Sequence, residues 1–395
     1  MKIGIVTTWL ERGAGYVSKI YKELLEIEGH EVFIFARGEN EVAGNTKGWS
    51  GKNVTRFSRY RNTTISKRIF FKWIKDNDID AILFNEQRDY RIVIETKKCF
   101  PNIKIGAYVD YYTEETREWF NLYDFVICNT KRHMEALSQH PQKYYIKWGT
   151  DTELYKPKDS ENDKITFFHS VGMSDRKGTD ILIEAFIEGK CYQDANLVIH
   201  TQIPIEKICK YNKEQLEQYN IDIIEKTVTA PGLYYMGDIY VYPTRLDGLG
   251  LTMYEALSCG LPVITSDFPP MNEAVNNDIG RLIRIKDYYC RNDAYYYPMV
   301  ICDKDDLISV MKWYIENPTE LIHQKAAARK YALDNYTIKN RSKEVARVFE
   351  DAICREVDRS LCKRIKKDMV RNFMPYKWFF SVTLFSRVIQ KIKRN

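Results

Sequence analysis

The sequence lacks any apolar run approaching the roughly 20 residues needed to cross a bilayer. Its start, MKIGIVTTWL, lacks the basic, apolar and small-residue succession of a secretory leader, so the expected location is the cytosol. It has no CxxC pair, and its nine cysteines, an odd set with irregular spacing, fit neither a disulfide framework nor a zinc ribbon. They read as reduced and mostly structural. None of the six histidines has metal-ligand spacing such as HExxH, and no Asp-X-Asp stands in a metal-binding setting, so neither metal nor cofactor is expected. With 44% hydrophobic and 29% charged residues, the composition excludes disordered, collagenous and polytopic membrane classes. There is also no large excess of charge on the body of the chain. The net charge is +6, yet residues 358–395 alone carry eleven Lys or Arg against two Asp, which leaves residues 1–357 slightly acidic. A nucleic-acid binder carries its positive charge on the folded domain, so that partner is not expected.

What is present is length and a repeated pattern. At 395 residues the chain is long enough for two domains. Lys2–Thr7 is a short apolar run, followed by Gly13-Ala14-Gly15 and apolar residues at helical spacing through Val17, Ile20, Tyr21, Leu24 and Leu25. Further short strands are expected at Glu31–Ala36, Ala81–Phe84, Ile103–Val109 and Phe125–Cys128. Continuous rather than alternating apolar strands indicate parallel sheets covered on both faces. After a polar, Pro-containing linker at residues 156–163, the pattern restarts with strand Ile165–Val171, a helix over Thr179–Phe186, and strands at Leu197–His200, Ile239–Tyr242 and Pro262–Thr265. Helices are expected at Leu321–Leu333 and Lys339–Val357, with His133 and His323 on helix surfaces. Two doubly wound domains place a cleft between the carboxyl ends of their strands, where such sheets bind ligands.

The densest chemical signal is the segment from Tyr242 to Thr265: a strand, a loop with Gly248 and Gly250, a helix, and a Gly-X-Pro turn into another strand. Those glycines allow the amides at the helix start to approach an anion. Asp247 and Glu255, eight positions apart, can both face one elongated ligand, although taken alone they also fit a helix cap and a solvated helix residue. This segment resembles the donor-site signature of retaining glycosyltransferases of family 4, of the group 1 type, which have the GT-B fold. In that family two glutamates stand at this spacing; here the first is an Asp, one methylene shorter. The stretch His169–Asp180, with Gly172, Arg176 and Lys177, is similar to the family's diphosphate turn, except that Met173 stands where an Arg is common. Lys147–Pro157, Asn129-Thr130-Lys131-Arg132 and Gly13-Ala14-Gly15 extend the similarity to about residues 1–357.

The resemblance implies an α/β GT-B architecture of two Rossmann-like domains facing a central cleft. Residues 1–155 would form an acceptor-binding domain and 163–338 a nucleotide-sugar-binding domain, with a helix over 339–357 crossing back and a basic aromatic tail at 358–395. It implies that Glu255 binds the ribose, that the amides of Leu249, Gly250, Leu251 and Thr252 hold the diphosphate with Arg176 and Lys177, and that Asp247 reaches the transferred sugar. Gly13, Gly15, Gly172 and Gly248 complete the donor site. Asp110 stands close to where many relatives place a histidine near the reacting sugar. The implied reaction is metal-independent retaining transfer from a nucleotide-diphospho-sugar to a glycan or lipid-linked acceptor. Two other readings stay open: a GT-B sugar-phosphate synthase or epimerase, and a noncatalytic nucleotide-binding membrane scaffold. The basic Arg56–Lys75 segment with Phe70, Phe71 and Trp73 fits either an acceptor loop or a core-packed helix. In the tail, Tyr376, Trp378, Phe379 and Phe380 lie between cations, a pattern suited to an anionic membrane surface, peripheral on its inner face.

Overall fold

The computed structural model describes residues 1–11, 13–37, 48–57, 63–108, 111–158, 162–172 and 174–371. The N-terminal domain is built on β1 (Lys2–Thr7), β2 (Glu31–Arg37), β3 (Val54–Phe57), β4 (Ala81–Asn85), β5 (Lys104–Tyr108), β6 (Phe125–Cys128) and β7 (Lys143–Tyr145). These form one parallel sheet in the order β3-β2-β1-β4-β5-β6-β7. The C-terminal domain repeats the plan with β8 (Ile165–Gly172), β9 (Ala195–Thr201), β10 (Ile221–Glu225), β11 (Ile239–Tyr242), β12 (Val263–Ser266) and β13 (Gly280–Ile283), ordered β10-β9-β8-β11-β12-β13. A hairpin of β14 (Ile285–Tyr289) and β15 (Met299–Cys302) stands outside both sheets. The two doubly wound domains follow the sequence pattern, and together they form the GT-B fold that the resemblance implies.

Strands β1, β4, β6, β11 and β12 are buried along nearly their whole length, because helices cover both faces of each sheet. Helix Lys67–Asp76 buries Phe70 and Trp73 against Phe35 with its basic residues outward, so this part of the basic segment is core-packed. Sheet order reverses between β1 and β4 in one domain and between β8 and β11 in the other, and ligands settle at such switch points.

Two expectations need correction. The helix expected over Lys339–Val357 ends at Asp351, because the following residues run extended along the N-terminal domain, where the Arg355 amide donates to the buried Asp124 carboxylate at 2.7 Å. Residues Arg359–Arg371 then form a further helix. It buries Leu361, Cys362 and Ile365 in the N-terminal core and pairs Arg364 with Glu118 and Lys366 with Glu95. The first part of the basic tail is therefore a docked helix; the aromatic stretch from Phe373 to Phe385 lies outside the described residues. The second correction is His133, which is 1% exposed and packs between Tyr112 and Tyr297 rather than on a helix surface.

The buried histidines give the fold an acid limit. Burial holds His133 well below its ordinary value of 6.5, and holds His140 and His169 at about 4. Each stays neutral in the folded chain and charges when unfolded, so the unfolded state binds more protons as pH falls below 6.5. Such a group weakens the fold by about 1.4 kcal/mol per pH unit below that point, until its folded value is reached. Together the three are expected to remove roughly 3–4 kcal/mol between pH 7 and about pH 5.5. Urea titrations at the two pH values measure it, and equal midpoints would contradict it.

Candidate active site in the interdomain cleft

The loops that follow β1, β4, β8 and β11 leave the two switch points and converge on a cavity of about 420 Å³ between the domains. Gly13, Arg176, Lys177, Asp247, Gly248, Leu249, Gly250, Leu251 and Thr252 all line it, so the two motifs singled out in the sequence meet in space. Three others lie outside its lining: Gly15 sits against the main chain of Leu10, Gly172 ends β8, and Glu255 lies one turn further along the same helix as Thr252. Asp110 falls outside the described residues.

Helix Leu251–Ser258 begins at this cavity, with Gly250 as its N-cap at φ +74°. Its first amides have no intrahelical partner, and the helix dipole adds partial positive charge there. Asp247 is not the cap. One carboxylate oxygen accepts from the Gly248 amide at 2.7 Å, and the other accepts from Lys177 and from the Tyr242 hydroxyl. Lys177 also contacts that hydroxyl. Burial alone would raise the Asp247 pKa; Lys177, Tyr242 and the Gly248 amide outweigh it and hold the carboxyl below its ordinary value. Asp247 is thus an ionised partner of a fixed cation. Arg176 has no ion pair among the described residues, and its carbonyl accepts from Arg245 at 2.8 Å, which ties the β8 loop to the β11 loop.

Glu255 behaves differently. Burial raises its pKa, opposed by hydroxyls of Tyr234, which donates at 2.5 Å, and Tyr155. On the N-terminal helix Gly13–Ile27, burial raises the Tyr16 pKa, with Glu11 and then Glu255 adding to the rise. A desolvated carboxylate held only by hydroxyls is suited to exchange them for the hydroxyls of a ligand.

Sequence reasoning missed the aromatic part of the site. Tyr242 lies inside the recognised segment, yet nothing in the sequence alone tied its hydroxyl to Asp247. Tyr111 and Tyr295, from opposite domains, stack at 5.3 Å between centroids, with Arg88 4.3 Å over one ring and Arg291 5.3 Å over the other. All four line the cavity. Their sequence signal was the tyrosine runs at 111–112 and 295–297, which carry no spacing that names a ligand. Among the described residues no group of three or more His, Cys, Asp or Glu is placed to hold a metal ion.

Residues 151–288 match the family model of glycosyl transferases group 1. Over that stretch the chain is similar to the group 1 glycosyl transferases. That match spans the Arg176–Lys177 turn, Asp247, the glycine loop and Glu255, and ends in β14. No curated protein matches the chain. Solved structures share the fold at low identity. A glycosyltransferase from Rickettsia africae superposes with a TM-score of 0.69 at 15% identity, covering 89% of this chain and 98% of that one. A sucrose-phosphate synthase from Thermosynechococcus elongatus gives 0.68 at 14% identity, with the same coverage. HepE of Anabaena, in complex with UDP and glucose, gives 0.64 at 15% identity, covering 89% of this chain and all of that one.

Proposed function

We propose that this cleft performs retaining sugar transfer of the family 4 type, from a nucleotide-diphospho-sugar to an acceptor hydroxyl. The observation that carries the reading is the meeting, at both switch points, of Arg176, the Lys177–Asp247 pair and the open amides of helix Leu251–Ser258. A departing nucleoside diphosphate gains negative charge at the transition state, and cations and amides already in place stabilise it without reorganising. No metal is needed for that task. Glu255 would take the ribose hydroxyls in exchange for Tyr234 and Tyr155, and Asp247, oriented by Lys177 and Tyr242, would meet a hydroxyl of the transferred sugar. The UDP and glucose bound by the Anabaena neighbour support a donor of this class. The N-terminal domain would present the acceptor, with Asp110 near the reacting sugar, and closure would exclude water before transfer. Front-face attack, with the leaving phosphate oxygen helping to deprotonate the acceptor, needs no protein nucleophile.

The Asp247 position gives a direct test of donor contact. Asp247→Glu restores the family's longer arm and is expected to reorder preference among nucleotide sugars while leaving affinity for the bare nucleoside diphosphate within about 3-fold, because the shift lies at the sugar end. Equal losses for every donor and for the bare nucleotide would make Asp247 a structural residue. The anomeric configuration of the product, read by proton NMR, decides between retention and inversion.

An acceptor in surface-glycan or lipid-linked glycan assembly, met at the inner face of a membrane, is suggested by the composition of residues 372–395. Among the described residues no helix is long and apolar enough to cross a membrane. Aromatic residues flanked by cations suit the headgroup boundary, each engaged Lys or Arg contributing about 1 kcal/mol at low salt. Deleting residues 372–395 is expected to abolish low-salt sedimentation with phosphatidylglycerol vesicles while sparing donor hydrolysis; unchanged sedimentation would remove the membrane from this reading.

A further inference from the structure

Arg132 is the second residue of helix Lys131–Ala136 in the N-terminal domain and is 3% exposed. Its side chain leaves that domain. One terminal nitrogen donates to the Pro269 carbonyl at 2.8 Å; the other donates to the Asp247 carbonyl at 2.5 Å and lies 3.4 Å from the Tyr295 hydroxyl. The guanidinium carbon lies 4.5 Å over the Tyr297 ring, and the Tyr297 hydroxyl donates back to the Arg132 carbonyl. Glu273 accepts the main-chain amides of Lys131 and Arg132 at 2.6 and 3.1 Å. Every one of these partners belongs to the C-terminal domain.

The two carbonyls sit on the loops after β11 and β12, both at the donor end of the second sheet. A planar fork of donors holds two such carbonyls in a fixed relative direction, which the freely rotating ammonium of a lysine does not. The Asp247 carbonyl shares one rigid peptide plane with the Gly248 amide, so fixing the oxygen fixes the direction of the N–H. That N–H bonds the Asp247 carboxylate. Arg132 therefore reaches the orientation of the Asp247 side chain, and the start of the amide loop, through a single peptide. This contact exists only when the domains are together.

We propose that Arg132 is a positioning residue that completes the donor site on domain closure, so that Asp247 is correctly aimed only in the closed molecule. The inference rests on the transferase reading for its kinetic test, whereas its closure test does not. Arg132→Ala is expected to lower kcat about 100-fold, the scale of a misplaced reacting group, while affinity for the nucleoside diphosphate changes less than about 3-fold. Guanidinium chloride at about 20 mM, far below denaturing concentrations, is expected to recover part of that turnover in Arg132→Ala and none in Lys177→Ala. Small-angle scattering with a saturating nucleoside diphosphate should show Arg132→Ala more open than the unaltered protein. Should Arg132→Ala fail to fold, Arg132→Lys and Tyr297→Phe carry the same measurements, with smaller losses in kcat and the same sparing of nucleotide affinity. Kinetics like the unaltered protein, equal loss of kcat and nucleotide affinity without guanidinium rescue, or an unchanged scattering profile would overturn the proposal. An unaltered protein that closes on nucleotide through Arg132 yet transfers no sugar would sink the transferase reading and leave the clasp standing.

Discussion

Replacing Lys177 by Ala is expected to lower turnover by about 10²- to 10³-fold, the cost of removing one fixed charge from a developing anion in a water-excluded site. The same change leaves Asp247 without its cation, but the effect on stability should be smaller. Asp247 keeps the Tyr242 hydroxyl and the Gly248 amide, and both members of the pair retain partial solvent contact, with side-chain exposures of 17% and 25%. We expect a loss of about 1–2 kcal/mol rather than the 3–5 of a fully buried broken pair. The double variant Lys177→Ala with Asp247→Ala separates the roles, because it should recover stability and no activity. Steady-state kinetics beside a urea titration give both numbers. Turnover that follows folded fraction alone, or that returns in the double variant, would reduce Lys177 to a structural partner of Asp247.

The largest effect on stability is expected at the next residue. Gly178 has φ +74°, and a Cβ added there would lie 2.0 Å from the Pro243 carbonyl oxygen. Neither atom belongs to a flexible side chain, so the β8 and β11 loops would have to separate. Left-handed strain contributes about 1 kcal/mol to Gly178→Ala and the backbone clash more, for an expected total of about 3 kcal/mol or greater. The Arg176 carbonyl that holds the Arg245 amide lies in the same turn, so the surviving folded protein should also have lost the Lys177–Asp247 contact and its activity. Gly13→Ala is the control: nothing lies within 4 Å of its added Cβ, and its stability should match that of the unaltered protein. A Gly178→Ala protein as stable as the Gly13 variant would show that the two loops are not rigidly joined.

The doubly wound halves were legible because buried parallel strands leave continuous apolar runs, as in β1, β4 and β6. Strands β3, β7, β10 and β13 were not, being three to five residues long and partly exposed, with nothing to set them apart from loops. The docked helix Arg359–Arg371 was hidden by its own charge: six Lys or Arg drew attention away from the adjacent Leu361 and Cys362 and from Ile365 one turn on, which share its buried face. His133 follows Lys131 and Arg132, and the sequence cannot show that a domain distant along the chain covers it. The same holds for the site. The Lys177–Asp247 pairing was within reach, since both motifs were recognised. The Arg132 clasp and the Tyr111–Tyr295 stack depend on how two domains meet, and no local pattern encodes that.

The central claim is that the cleft holds the diphosphate of a nucleotide sugar with its ribose on Glu255. Calorimetric titration of UDP, GDP and ADP into the unaltered protein and into Glu255→Gln tests it most directly. At least one nucleotide is expected to bind the unaltered protein, raise its melting temperature, and lose about 10-fold or more in affinity in Glu255→Gln as a charged hydrogen bond becomes a neutral one. Binding of none of the three, or equal binding by both proteins, would contradict the account.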